Sequence, residues 1–105
     1  MGARVIALAA GATVGALVDA VRGGGAAAVI VVEVAPDIAA LERHLILAAI
    51  APLAIECAPA TRLCAIDVGE GADPADVAAL RDWLAGAECT TGQVVAVKRV
   101  ADAGA

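Results

Sequence analysis

The chain has 105 residues, 62% of them apolar, yet Trp83 is its one aromatic side chain and Tyr, Phe, Ser and Asn are absent. A Ser nucleophile, a Tyr general acid and an Asn orienting group are therefore excluded from its chemistry, and one aromatic is too few for a base-stacking platform. The formal net charge of −5 opposes binding to nucleic acid or to anionic membrane surfaces, both of which rely on Lys and Arg.

Residues Arg4–Ala9 form an apolar, partly β-branched run that stops before Gly11, which predicts a buried parallel strand. From Thr13 the period changes. Val14, Leu17, Val18 and Val21 recur at helical spacing, and the glycines at 23–25 predict a left-handed exit. Ala28–Val32 is the clearest strand and stops at Glu33. Pro36-Asp37 then opens a second helix, with Asp37 as N-cap and Ile38, Leu41, Leu45 and Ala48 or Ala49 on its apolar face. Arg43 and His44 fall beside that face, as a solvated or interface edge. Pro52 lies within the same segment and predicts a kink or a break.

Arg62–Asp67 reads as a third strand, closed by the Gly-rich turn at 68–71. Asp73-Pro74-Ala75-Asp76 starts a third helix, with an acid at the N-cap, Pro at the first position and an acid in the first turn. Its stripe is Val77, Leu80 and Leu84, with Trp83 beside them as an anchor for core or interface, and Gly86 ends it. Gly92–Val97 is the last strand. The order βαβαβαβ predicts an α/β, small Rossmann-like three-layer fold with a parallel sheet of about four strands. Residues 1–100 make one domain and 101–105 a flexible tail. So apolar a small body leaves apolar surface over, and oligomerisation is expected to cover it.

The longest uncharged runs, Val5–Val18 and His44–Ile55, fall short of the ~18–20 residues of a spanning helix. No secretory signal opens the chain, so a cytoplasmic protein is expected, without membrane or nucleic-acid partners. Cys57, Cys64 and Cys89 are widely spaced, no C-x-x-C occurs, and His44 is the lone histidine, so free, mostly buried thiols are expected and no metal site. Glu70, Asp73 and Asp76 are explained by capping and solvation.

The last third carries Asp76–Glu88 as a V-A-A-L-R-D-W-L-A-type helix, followed by Thr91-Gly92-Gln93-Val94 running into the last strand. Leu53-Ala-Ile-Glu-Cys-Ala-Pro59 is followed by Arg62-Leu-Cys-Ala-Ile66. These segments, roughly half the chain, resemble the late part of short-chain dehydrogenases/reductases: a long helix ending L-A-x-E-x-A-P, an R-V-x-x-V strand, then T-G-Q-V. Ala10–Leu17 partly matches that family's T-G-x-x-x-G-x-G turn, with Gly11 and Gly15 at the right separation and Ala10 and Leu17 departing from it. Glu33 then sits where the family places an acid on the adenosine ribose. In an alternative register the opening matches a later strand-helix-strand unit, with Arg22–Gly25 as the turn before the middle of the sheet. The sequence leaves both open.

The resemblance implies a truncated, degenerate member. Counting back from Leu53–Pro59, the family's Tyr position falls near Ala39 and its Lys position near Arg43, and no Ser or Asn exists to fill the other roles. No catalytic residue is therefore assigned. The expected function is a catalytically inactive subunit acting through assembly. It would pair with itself, or with a full-length short-chain dehydrogenase as the non-catalytic partner in an NAD(P)-dependent oxidoreductase, since the family's long helices pair across a dimer interface. The alternative is a small nucleotide- or acyl-thioester-binding module using Gly11, Gly15 and Glu33, for which NAD(P) is the cofactor to test.

Overall fold

The computed structural model describes residues 3–24, 27–87 and 91–98. The expected tail at 101–105 and Cys89 lie outside the described residues. Four strands and three helices alternate: β1 (Ala3–Leu8), α1 (Val14–Gly23), β2 (Val29–Val34), α2 (Ala40–Cys57), β3 (Arg62–Val68), α3 (Pro74–Gly86) and β4 (Val94–Val97). The strands form one parallel sheet in the order β1-β2-β3-β4. The three-layer Rossmann-like α/β fold is therefore present.

Strand alternation divides the core in two. On one face, Ile30, Val32, Leu63 and Ala65 pack against Leu17 and Val21 of α1 and against Ile46, Ile50 and Leu53 of α2. On the other, Val29, Val31, Cys64 and Ile66 pack against Val77 and Leu84 of α3. Each connection moves one strand along in the same direction, yet α3 lies on the opposite face from α1 and α2. The β3–α3–β4 crossover therefore has the opposite hand from the two before it, an uncommon arrangement among parallel connections.

Two helix starts follow from local chemistry. Thr13 caps α1, its hydroxyl accepting from Ala16 N at 3.1 Å. Asp73 caps α3 and accepts from Ala75 N at 2.9 Å, with Pro74 at the first helical position, as the sequence predicts. The exit from α1 differs from expectation. Gly24 caps it in an extended conformation, and the guanidinium of Arg4 fills the space above it.

The largest departures are in α2. It begins at Ala40, and Ala39 is an N-cap without a side-chain bond, so Asp37 stays exposed in the preceding turn. Pro52 sits inside the helix without ending it. One hydrogen bond is lost there, on the exposed side, while Ile46, Ile50, Leu53 and Ala54 hold the helix to the sheet from either end. The buried face is this set. Leu41 (69% exposed) and Leu45 (39% exposed) point outward instead. The helix is apolar nearly all round, so periodicity offered two stripes, and packing buried the one centred on Ile46 and Ile50.

β4 is held closely to the end of β3. Gly69 N donates to Val97 O at 2.7 Å, and a Cβ on Gly69 would lie 2.9 Å from that same oxygen. Gly69→Ala is expected to push β4 outward and cost about 1–3 kcal/mol, read as a lower urea midpoint with an unchanged slope.

Candidate functional site

The carboxyl ends of β1, β2 and β3 lie side by side, and the first turn of α2 ties them together. Gly11 makes the turn out of β1 with φ of +88°, a conformation that favours glycine. α1 then begins, and the carboxylate of Glu42, from α2, accepts from Val14 N at 3.1 Å. The positive end of the α1 dipole is thus occupied by the chain's own anion. A Cβ on Gly15 would meet only Thr13 Oγ1, at an ordinary 3.7 Å, so the protein itself imposes no close approach there.

Arg43, next to Glu42, turns inward. Its guanidinium donates to Ala35 O and to Asp67 Oδ1, with further bonds to Val34 O at 3.3 Å and Val68 O at 2.9 Å. The solvated edge expected for Arg43 is therefore corrected. The fork bridges the ends of β2 and β3. His44, one residue on, is exposed, as expected.

On the α3 face, a cavity of about 480 Å³ opens between the ends of β1 and β2 and the start of α3. Ala7, Ala9, Ala35, Val68, Pro74 and Val77 contribute its apolar wall. Glu33 lies in it, at the end of β2, and accepts from Arg81 Nη1 at 2.7 Å. That hydrogen bond, reinforced by the carboxylate's charge, holds the Arg81 guanidinium above its ordinary pKa. Glu33 is thus a committed ion-pair partner, with a side chain 17% exposed.

Other reactive groups stand apart. Cys64 is fully buried in β3, and burial pushes its thiol pKa up, with a backbone bond from Gln93 and the charge of Arg62 opposing this. Cys57 is half-buried, and neither of these cysteines is in a disulfide. Trp83 is 62% exposed, which places it on the surface. Among the described residues, no three His, Cys, Asp or Glu side chains stand together as metal ligands, and no helix is long and apolar enough to cross a membrane.

A family model described as SDR-like, short chain dehydrogenase-like protein, matches residues 4–97. The chain belongs to the short-chain dehydrogenase-like family. No curated protein and no solved structure matches it. Ala39, near which the resemblance puts the family's Tyr, is exposed at the head of α2. Arg43, near which the resemblance puts its Lys, is engaged by Asp67 and three carbonyls. In the dinucleotide-binding strand order the fourth strand turns back to lie beside the first, and the nucleotide crosses the crevice at that reversal. Here β4 pairs with β3, so the described strands contain no reversal.

Sequence reasoning missed three members of this region. Glu42 gave no signal, being one of several acids near a helix start. Arg81 stands four residues after Val77, on the flank of the α3 stripe, a placement that turns it toward the sheet but names no partner. Arg43 had a signal in the resemblance, which put a cation at that place, although nothing in the residues pointed to its four acceptors.

Proposed function

We propose that this short-chain dehydrogenase-like chain acts as a non-catalytic, cytoplasmic subunit that works through assembly, with the outer face of α2 as the assembling surface. The carrying observation is that α2 has a second apolar stripe after its core stripe has been buried. Leu41, Leu45, Ala48, Pro52 and Ile55 are exposed along it, Ile55 to 78%. A helix apolar on both sides is a helix meant to be covered on both sides. The stripe spans 15 residues, from Leu41 to Ile55, or about 21 Å of helix at 1.5 Å per step.

The stripe also suits a second copy. It has large side chains at its ends and alanine at its centre, so two antiparallel helices can cross closely at Ala48. Leu41 of one copy then faces Ile55 of the other, the self-complementary arrangement that a twofold axis requires. A full-length short-chain dehydrogenase offering a similar helix is the alternative partner. The absence of Tyr, Ser and Asn supports a non-catalytic role, because the chain cannot itself transfer the proton or polarise the carbonyl that the family's chemistry needs.

Native mass measurement at micromolar concentration tests this. The expected species is a dimer, or a complex with a co-purifying reductase, and a stable monomer overturns the reading. No thermal shift is expected with millimolar NAD(H) or NADP(H), because the donor at Val14 is taken by Glu42. A shift that disappears in Gly15→Val would restore the nucleotide-binding reading instead.

A further inference from the structure

α2 carries four groups other than cysteine that bear or can acquire charge: Glu42, Arg43, His44 and Glu56. Three are committed within the chain. Glu42 accepts from Val14 N, Arg43 pairs with Asp67, and Glu56 pairs with Arg22 at 2.8 Å. His44 alone stands on the outward stripe, exposed among Leu41, Leu45 and Ala48. It lies two residues from Glu42, or about 200° round the helix. Of the two α1 contacts, Glu42 is on the far side, and Glu56 lies about 120° round from His44, at the other edge of the stripe. Asp19 and Arg22 belong to α1, Asp67 is held by Arg43, and Arg62 lies on the α3 face of the sheet with Cys64. Asp37 is exposed in the turn before α2, seven residues from His44, and among the described residues no ion pair engages His44.

We infer that His44 makes assembly through α2 pH-sensitive: the dimer forms with neutral imidazoles and comes apart when they are protonated. This rests on the assembly reading above. With two copies crossed antiparallel at Ala48, His44 falls opposite Pro52 of the other copy, while Glu56, one turn beyond Pro52, lies at the other edge of the stripe, about 120° round the helix from His44, and is paired with Arg22. A neutral imidazole is tolerated in such a contact, whereas a charged one is desolvated without compensation. Association thus favours the deprotonated form. Dimer stability is full where the imidazole is neutral and is lost as pH falls through the histidine range.

One histidine per copy makes two protons per dimer. The dissociation constant should rise by up to about 100-fold per pH unit on the acid side of the transition. Glu56, held below its ordinary pKa by the hydrogen bond and charge of Arg22, stays ionised over this window.

Sedimentation equilibrium at about pH 8 and about pH 5.5 reads the effect, on the wild-type chain and on His44→Leu and His44→Gln, with circular dichroism confirming the fold. The wild type is expected to be dimeric at the higher pH and largely monomeric at the lower, with both variants dimeric at both. A wild-type dimer equally tight at both pH values overturns the switch and leaves the assembly reading intact. Dissociation of both variants in parallel with the wild type does the same. A wild-type monomer at the higher pH overturns both.

Discussion

Replacing Ala48 by glutamate is expected to leave the domain folded and weaken its self-association by about 100-fold or more. The position is exposed at the centre of the outward stripe of α2, so the monomer loses no packing. In the dimer, the twofold crossing would bring the two new carboxylates together where two small methyl groups had let the helices approach. Ile55→Glu, at the end of the stripe, should weaken association less, because a rim charge can stay hydrated. The pair of variants separates a specific crossing at Ala48 from diffuse apolar stickiness. A specific crossing predicts unequal effects, read as dissociation constants by sedimentation. Equal effects, or an Ala48→Glu dimer as tight as the wild type, would place the interface elsewhere.

Arg43→Ala should be the most damaging single change at the carboxyl edge of the sheet. The Arg43 and Asp67 side chains are 19% and 30% exposed, and the guanidinium serves one carboxylate and three carbonyls. Removing it strands Asp67 and leaves the ends of β2 and β3 unbridged, at a cost of about 2–3 kcal/mol. For a domain this small, that is a fall in melting temperature of roughly 10–20 °C. Arg43→Lys should recover part of the loss, since an ammonium keeps the charge and lacks the planar fork that reaches several acceptors at once. Asp67→Asn should cost less than Arg43→Ala, because the carbonyl bonds remain. Thermal melts of the three variants give the ranking, and an Arg43→Ala protein within about 0.5 kcal/mol of wild type would show that the clamp is ornamental.

The alternation of strands and helices was legible because this chain punctuates clearly. The β-branched run before Glu33, the glycines at 23–25 and the Asp73-Pro74 start are local signals whose physics acts within a few residues. α2 was legible as a helix but not in its orientation. Leu41 and Leu45 carry the same hydrophobicity as Leu53, and only competition for the sheet decided which would be buried. At the candidate site, Gly11 and Glu33 could be placed at a turn and a strand end from sequence. Their partners could not, because Glu42 reaches Val14 across 28 positions and Arg81 reaches Glu33 across 48.

By itself the sequence determined what this chain lacks and what it is made of: no Tyr, Ser or Asn for reductase chemistry, four apolar strands, three helices, and the motifs of a short-chain dehydrogenase-like protein. These depend on composition and short-range pattern. The tertiary structure alone decided that the strand order runs without reversal, that α3 crosses the opposite face, that Arg43 is a clamp rather than a solvated edge, and that α2 keeps a second apolar stripe outside. Each of these is a choice among segments of equal hydrophobicity or charge. That choice is made by which packing buries the most apolar area while leaving the fewest polar groups unpaired, a quantity that exists only once the chain is folded.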